Sequence, residues 1–339
     1  MKRTQDSDPE PAPKRPPGGP DLPAAIEPGT YDGVVVKSTG SHYEVQVGTT
    51  VVLARMRGKF RLSRQGETNP VAVGDRVSVL VDRDSATVES IAPRTNQLSR
   101  RAAGRRVGME QILVANVDFA WVVQSTFLPR FNPGFVDRFL VMAQHEDIPA
   151  GIVINKADLI TGTTSDDIDF WRKLYESLGY PVIYTSAVSG AGEARLRDLL
   201  IDKTTVFSGP SGVGKSSLIN RMDSSLDVRT GDVSTKTRKG RHVTTNATLY
   251  TLSIGGRIVD TPGLREFGVI DIKAAELGHY FVEFRPFLHQ CRYPNCTHDH
   301  EPDCAVVDAM ERGEIPDGRW ASYLNILASI QQGEADVGR

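Results

Sequence analysis

The segment GPSGVGKS at 209–216 has the residues and the spacing of a phosphate-binding loop. It fits the pattern G-x-x-x-x-G-K-[ST] and stands between an apolar run, TTVFS, and a helical run, SSLINRM. Its glycines let backbone N–H groups surround phosphates, and the start of the helix adds partial positive charge. We expect Lys215 to reach the β- and γ-phosphates and the Ser216 hydroxyl to bind Mg²⁺. The residues predicted to bind the nucleotide here are Gly209, Pro210, Ser211, Gly212, Val213, Gly214, Lys215, Ser216 and Ser217.

The tetrapeptide DTPG at 260–263 follows another apolar run, as a sensor of the γ-phosphate would. Asp260 would hold Mg²⁺ through a water molecule, and the Gly263 N–H would contact the γ-phosphate. Such a tetrapeptide is also a common plain turn. Its position downstream of a phosphate-binding loop favours the sensor, so we predict that Asp260 and Gly263 belong to the site.

A guanine-recognition motif, INKAD at 154–158, also follows an apolar run. The Asp158 carboxylate can accept hydrogen bonds from guanine N1–H and N2–H₂. Adenine offers neither donor and would leave this carboxylate desolvated and unpaired, which penalises ATP. Asn155 is expected to contact the base edge and nearby loops, and the Lys156 stem is expected to lie along the base.

A second guanine loop is predicted at YTSA, residues 184–187, where the backbone of Ser186 and Ala187 can meet guanine O6. The base-reading motifs therefore precede the phosphate-binding loop, whereas an ordinary GTPase begins with that loop. Because domain termini usually lie close together at the surface, the same sheet can form after the old termini are joined and new ones are opened. The sequence therefore predicts a circularly permuted GTPase domain.

The three cysteines of the chain are clustered in CRYPNCTHDHEPDC, with the spacing C-x4-C-x-H-x5-C. In a reducing compartment such a cluster indicates a metal site rather than disulfides, although three free thiols are the alternative. Three thiolates and one imidazole make a closed, tetrahedral structural zinc site with no open position for catalysis. The predicted ligands are Cys291, Cys296, His298 and Cys304, with His300 as a rival for His298.

Short alternating runs between residues 31 and 92 predict five strands in a small barrel, an OB-fold or, alternatively, a barrel of SH3 type. Lysine and arginine outnumber aspartate and glutamate over residues 30–110. The loop RMRGKFRLSR surrounds Phe60 with basic residues, which suits RNA phosphates and base stacking, although Phe60 could also lie in the core. These basic residues are Arg55, Arg57, Lys59, Arg61 and Arg64.

The elements that must position the motifs alternate between apolar strands and amphipathic helices, which predicts an α/β domain with a mainly parallel sheet. The predicted domains are a disordered Pro-rich tail (1–28), an OB-fold RNA-binding domain (29–95), a basic linker (96–111), the permuted P-loop GTPase domain (112–270) and a mainly helical zinc-binding domain (271–339). The chain has no apolar run of membrane-spanning length and no signal-peptide pattern near Met1. We expect a monomer in the cytoplasm that does not associate with membranes.

Between residues 30 and 330 the chain resembles the circularly permuted GTPases of small-ribosomal-subunit biogenesis (the RsgA/YjeQ type). The resemblance rests on the order NKAD, TSA, GPSGVGKS and DTPG, on the preceding barrel and on the following cysteine cluster. It implies hydrolysis of GTP to GDP stimulated by the 30S subunit, a role in late 30S maturation, and contact with 16S rRNA. The spacing of the cluster resembles that of the family and favours His298 as the fourth ligand.

The resemblance also implies a first switch within STKTRKGRHVTTN at 234–246. His242 stands where the family has a histidine in G-x-H-x-T, and we expect it to position the attacking water; contact with rRNA is the alternative. Thr244 is expected to bind Mg²⁺ and the γ-phosphate, with Thr245 as second choice. Leu264 stands where Ras-like GTPases place a water-orienting Gln, and an apolar side chain cannot take that role.

Two other classes of function fit parts of the sequence. An RNA-binding translational regulator would carry the barrel and its basic loop, with GTP hydrolysis incidental. A P-loop kinase would share the phosphate-binding loop, but INKAD and the lack of an obvious second-substrate site argue against it. Gly212 stands where potassium-activated GTPases carry Asn, so the sequence does not support a bound K⁺.

Overall fold

The structure is a computed structural model, and its described residues fall in several segments along the chain. They are 26–39, 42–56, 70–83, 85–101, 110–226, 228, 247–260 and 272–337.

The N-terminal segment forms a closed five-stranded barrel, which confirms the predicted fold of this part. The strand order β1-β2-β3-β5-β4 returns to β1 through an antiparallel β1–β4 pairing, as in an OB-fold. Buried and less buried residues alternate along the strands, and valines fill most of the interior. The strands are β1 (Gly29–Ser38), β2 (Tyr43–Val47), β3 (Thr50–Met56), β4 (Arg76–Val81) and β5 (Ala86–Ile91).

A β-hairpin follows the barrel, made of β6 (Gln97–Arg101) and β7 (Glu110–Ala115). Strand β6 thus lies within the segment that we predicted as a linker. Leu98 and Val114 pair across the hairpin and are fully buried, in the core shared with the GTPase domain. A single buried leucine beside several arginines gives too weak an alternation to predict a strand from the sequence.

The central domain carries five parallel strands in the order β10-β9-β8-β11-β13, and β12 pairs antiparallel with β13. Beyond β12 the sheet continues into the barrel through β1, at Lys37 and Thr248. The strands are β8 (Phe119–Ser125), β9 (Ala150–Asn155), β10 (Val182–Tyr184), β11 (Thr204–Ser208), β12 (Thr248–Thr251) and β13 (Arg257–Asp260). The helices are α1 (Pro133–His145), α2 (Gly162–Ser177), α3 (Glu193–Leu200) and α4 (Lys215–Met222).

Helix α1 begins at a clear sequence signal. The Asn132 side chain accepts a hydrogen bond from the Phe135 N–H at 3.1 Å, and a proline occupies the first helical position. Val136, Phe139 and Leu140 recur at helical spacing and are fully buried against the sheet. The helix therefore fixes one face towards the GTPase core and leaves another face for a different partner.

That partner is the C-terminal module, which consists of short 3₁₀ helices at Ala274–Tyr280 and Leu288–Gln290 and of α5 (Ala305–Glu311) and α6 (Asp317–Val337). Its core of aromatic and aliphatic side chains includes Val141 from α1. His145 near the end of α1 also lies 3.0 Å from the Tyr280 hydroxyl. Among the described residues, none of the helices is both long and apolar enough to cross a lipid bilayer.

A fully buried arginine, Arg319 on α6, joins the module to the GTPase domain. Its guanidinium donates to the Asp137 carboxylate on α1 and to Glu283 Oε1 at 2.6 Å. The Tyr175 hydroxyl of α2 also donates to Asp137, at 2.7 Å, and the guanidinium lies 4.5 Å from the Phe281 ring centroid. Burial alone would lower the pKa of Arg319, but the charges of Asp137 and Glu283 raise it above its usual value. The arginine therefore stays charged and holds the interface.

Removing the Arg319 charge should destabilise the protein strongly. Arg319→Met would leave two buried carboxylates without their cation, which typically costs about 3–5 kcal/mol of unfolding free energy. A triple variant that also carries Asp137→Asn and Glu283→Gln should recover part of the loss, because the unpaired charges are gone. Urea unfolding followed by circular dichroism measures both effects.

The matched control is Arg312→Met, which removes an exposed ion pair with Glu314 in the same module and should change the unfolding midpoint little. Equal effects of Arg319→Met and Arg312→Met would show that the buried cluster does not hold the interface.

Candidate nucleotide site and metal centre

The predicted nucleotide motifs meet at one edge of the sheet. Asn155, Ser208 and Asp260 are the last residues of β9, β11 and β13, and these strands are parallel members of one sheet. Ligands of open α/β sheets bind outside the carboxyl ends of the strands. The permuted chain order therefore still places the base reader, the phosphate loop and Asp260 along the same edge.

The buried Asn155 side chain connects the base reader to the phosphate loop. Its Nδ2 donates to the Val213 carbonyl at 2.9 Å, and its Oδ1 accepts from the Thr185 hydroxyl at 3.1 Å. Both bonds are buried, so the amide orientation is fixed from two sides. The sequence predicted the contact of Asn155 with nearby loops but not the part of Thr185, although Thr185 lies within the second guanine motif.

The Asp158 carboxylate is oriented by the second guanine loop. It accepts a hydrogen bond from the Ser186 hydroxyl, whose oxygen in turn accepts from the N–H groups of Val188 and Ser189 at 3.2 and 3.0 Å. The Ser186 backbone N–H donates to the Ala191 carbonyl at 3.0 Å. In this structure the bond occupies the backbone donor that we predicted for guanine O6, and the Ser186 side chain contacts Asp158.

Lys156 of the base reader contacts the loop that follows β8. It has a left-handed backbone, φ 59°, and its Nζ donates to the Leu128 carbonyl. The sequence predicted no role for Thr126. Its hydroxyl donates to the Lys156 carbonyl at 2.8 Å and helps to hold this backbone conformation. Burial lowers the pKa of Lys156, while the Asp158 charge raises it in part.

Two glycines of the phosphate loop cannot carry a side chain. A Cβ on Gly209 would lie 2.0 Å from the Val123 carbonyl oxygen of the neighbouring strand. Gly214 has φ 93°, and a Cβ there would lie 2.4 Å from Asn155 Nδ2. The loop therefore packs against both the sheet and the base reader. Val213 between them is fully buried and anchors the loop in the core.

The polar groups of the loop are arranged for phosphates and a divalent cation. Lys215 Nζ donates to the carbonyls of Gly209 and Pro210 at 2.8 and 3.1 Å. Asp260 Oδ1 and the Ser208 hydroxyl are buried, and neither has a hydrogen-bond partner among the residues that the structure describes. Burial raises the pKa of Asp260, and the Lys215 charge lowers it in part. An unpaired buried carboxylate beside the phosphate loop fits the chemistry of Mg²⁺, a hard cation that prefers oxygen ligands.

Several predicted residues lie outside the described residues. They are His242, Thr244 and Thr245 of the switch, Gly263 and Leu264 after Asp260, and Arg57, Lys59, Phe60, Arg61 and Arg64 of the barrel loop. The N-terminal tail up to residue 25 and the basic stretch 102–109 lie outside them as well.

The four predicted metal ligands are brought together in the C-terminal module and can hold a metal ion. The ligand atoms of Cys291, Cys296, His298 and Cys304 all lie within 4.8 Å of one another. The His298 Nδ1 lies 3.5 Å from Cys291 Sγ and 3.4 Å from Cys304 Sγ. The rival His300 is exposed and its ring contacts Asp299 instead.

The surroundings hold these ligands in place. His298 has a left-handed backbone, φ 54°, a conformation that is uncommon for residues other than glycine. Glu301 accepts from the Thr297 N–H and hydroxyl at 2.7 and 2.6 Å, and the Tyr323 hydroxyl of α6 donates to the Thr297 carbonyl. Burial raises the pKa of the Cys296 thiol, so a cation would be needed to keep it as a thiolate. Three thiols and one imidazole form the donor set that Zn²⁺ prefers.

Comparison with known proteins connects this geometry to a family. The model of the RsgA GTPase family matches residues 91–270, and that of the RsgA N-terminal domain matches residues 32–88. A small ribosomal subunit biogenesis GTPase RsgA from Gemmatimonas aurantiaca is 44% identical over 298 residues, which cover 87% of this chain and 95% of the relative. The RsgA 2 protein of Bacteroides thetaiotaomicron, with the same description, is 39% identical over 304 residues, which cover 89% and 98%.

Solved structures agree in fold and in sequence. The crystal structure of YjeQ from Thermotoga maritima superposes with a TM-score of 0.73 at 33% identity and covers 89% of this chain and 99% of its own. YloQ, described as a circularly permuted GTPase, gives a TM-score of 0.68 at 31% identity, with 90% and 96% covered. The predicted resemblance and the permuted fold are thereby confirmed. The chain belongs to the RsgA GTPase family and is a GTP-hydrolysing enzyme.

Proposed function

We propose that this GTPase acts in late maturation of the 30S ribosomal subunit and contacts 16S rRNA in a nucleotide-dependent way. The observation that carries the proposal is the Asn155–Val213 hydrogen bond, which joins the predicted base reader to the predicted phosphate loop across the two rearranged halves of the domain. The relatives are named small ribosomal subunit biogenesis GTPases, which supports the small ribosomal subunit as the assembly on which this enzyme acts. The enzyme works as a monomer in the cytoplasm.

Guanine lies against the Asp158 carboxylate, which the Ser186 hydroxyl holds in position. The carboxylate accepts from N1–H and N2–H₂, and the Lys156 stem covers one face of the base. With the Ser186 N–H already bonded, the Ala187 N–H is the backbone donor for guanine O6. The Asn155 amide keeps this base pocket at a fixed distance from the phosphate loop.

The phosphates lie in the loop from Gly209 to Ser216. To reach the β- and γ-phosphates, the Lys215 ammonium exchanges two carbonyl acceptors for phosphate oxygens, which are stronger partners because they are charged. Ser216, Thr244 and Asp260 are the residues that would hold Mg²⁺, which when bound neutralises phosphate charge. The Gly263 N–H contacts the γ-phosphate, and His242 positions the attacking water.

The Cys₃His cluster holds one zinc ion with a structural role. Its four ligands come from a single short segment, and the module packs around them through α6 and Tyr323. A closed tetrahedral set leaves no position for substrate, so the metal stabilises the fold and takes no part in hydrolysis.

Replacing the base-reading carboxylate should change the choice of nucleotide. Asp158→Asn should weaken GTP binding by at least about tenfold, because two hydrogen bonds to a charged group are lost. Xanthosine triphosphate should bind this variant better than GTP, since the altered base presents an acceptor to the new amide. Asp167→Asn, an exposed acid on α2, is the matched control. Competition binding measures both preferences, and an unchanged preference for GTP in Asp158→Asn would refute the base assignment.

Two histidine-to-alanine variants, one at the predicted ligand and one at its neighbour, test the metal site. Native mass spectrometry should show one zinc per chain in the unaltered protein and in His300→Ala, and none in His298→Ala. Cys296→Ser should lower the thermal stability of the module, because structural zinc binding contributes directly to folding free energy. Protein purified without chelator that contains no metal would overturn the zinc site.

The ribosomal role is tested by GTP hydrolysis with and without purified 30S subunits. We expect 30S to stimulate phosphate release, Lys215→Ala to abolish it, and His242→Ala to bind GTP normally but hydrolyse it slowly. Binding to 30S should be tighter with a non-hydrolysable GTP analogue than with GDP, by roughly 5–150-fold for a typical coupling. Equal affinity of the two forms would favour a passive RNA-binding module instead.

A further inference from the structure

A cleft of about 550 Å³ lies between the outer face of the barrel and the GTPase domain, away from the nucleotide motifs. Its barrel side comes from β1, β2, β4 and β5, and its GTPase side comes from Arg257 at the start of β13. This volume is in the range of small-molecule sites. The polar and charged residues that line it are Asp32, Gln46, Arg76, Ser78, Ser90 and Arg257.

Strand register explains why these barrel side chains share one face. Asp32 on β1 pairs with Ser78 on β4, and Ser78 pairs with Ser90 on β5, so the three form a row across neighbouring strands. Arg76 is two residues from Ser78 and therefore points to the same side. The alternate residues of β4, such as Val77 and Val79, fill the barrel interior. The row is thus a polar outer surface that faces Arg257.

Two arginines line this cleft, Arg76 and Arg257. Neither Arg76 nor Arg257 forms an ion pair with any residue that the structure describes, and the Arg257 Nε is buried without a hydrogen-bond acceptor. Arg76 is exposed and Arg257 is half-buried, whereas the less exposed side chains of Arg94 and Arg319 are paired with carboxylates. Asp32 is the single carboxylate among the lining residues, so the cleft carries an excess of positive charge. A buried, unpaired donor costs free energy unless something accepts from it.

We propose that this cleft binds a phosphate group between Arg76 and Arg257. Guanidinium groups match phosphate oxygens with parallel N–H donors, and such charge-assisted bonds are the strong ones. The hydroxyls of Ser78 and Ser90 and the Gln46 amide add neutral donors around the same space. The size of the cleft admits one nucleotide, so the phosphate belongs either to a free nucleoside monophosphate or to the backbone of an RNA strand.

Such a ligand would bridge the two domains beside the strand pairing that joins them. Beside the cleft the barrel is connected to the GTPase sheet through the Lys37–Thr248 pairing and the hydrogen bond from the Thr251 hydroxyl to Gln46, at 2.9 Å. Arg257 also begins the strand that ends at Asp260, about 10 Å away along the chain direction. The cleft and the nucleotide site therefore lie at opposite ends of β13.

The test is isothermal titration calorimetry on the full chain saturated with GDP, so that the guanine site is occupied. The probes are uridine 5′-monophosphate, hexauridylate RNA, and uridine as the probe without phosphate. We expect at least one phosphate-bearing probe to bind, uridine not to bind, and Arg76→Gln and Arg257→Gln each to weaken binding by about tenfold or more. If the two variants weaken binding of the monophosphate, the ligand is a free nucleoside monophosphate. If they weaken binding of the RNA alone, the ligand is the backbone of an RNA strand.

Matched controls separate this cleft from general positive charge. Arg83→Gln on the barrel and Arg195→Gln on α3 remove exposed arginines outside the cleft and should leave binding unchanged. GDP affinity and the thermal midpoint of every variant establish that the nucleotide site and the fold are intact. If neither phosphate probe binds, or if the cleft variants and the control variants weaken binding equally, the proposal is overturned, whatever the outcome of the ribosomal assays.

Discussion

The nucleotide site depends on one buried hydrogen bond, from Asn155 Nδ2 to the Val213 carbonyl. It joins two loops that are 58 residues apart and that come from the two rearranged halves of the domain. Gly214 must lack a side chain because Asn155 occupies the space where a Cβ would stand. The second amide atom of Asn155 is bonded to Thr185, so three loops share one rigid centre. Base recognition and phosphate binding are therefore coupled by geometry and not by chain order.

The parallel sheet explains why the order of the motifs can change while the site does not. Each motif follows the carboxyl end of its own strand, and the strands keep their neighbours through backbone pairing. What the new order does change is the attachment of the flanking domains. The barrel joins the sheet at β12, next to the strand that ends in Asp260, and the described part of the C-terminal module begins only twelve residues after that aspartate.

The features that could be predicted from the sequence are those that local residue patterns determine. Strand alternation, the glycine-rich loop, the base-reading motif and the cysteine spacing each depend on neighbouring residues, and the structure forms the barrel strands and brings the four metal ligands together. Hairpin strand β6 was missed because its only buried apolar residue is Leu98 among polar neighbours. The Arg319 cluster could not be predicted, since its partners at 137 and 283 are far away in sequence and an isolated arginine looks like any solvated charge.

Helix α1 gives the C-terminal module a second route to the nucleotide site. The helix follows β8, whose last residue leads into Thr126, and the Thr126 hydroxyl holds the Lys156 backbone of the base reader. The opposite side of the same helix carries Asp137 and Val141 into the module. Since separation would break the buried ion pair between Arg319 and Asp137, this contact resists opening. The module is thus packed against the helix that follows β8, and β8 leads into the loop that holds Lys156 of the predicted base reader.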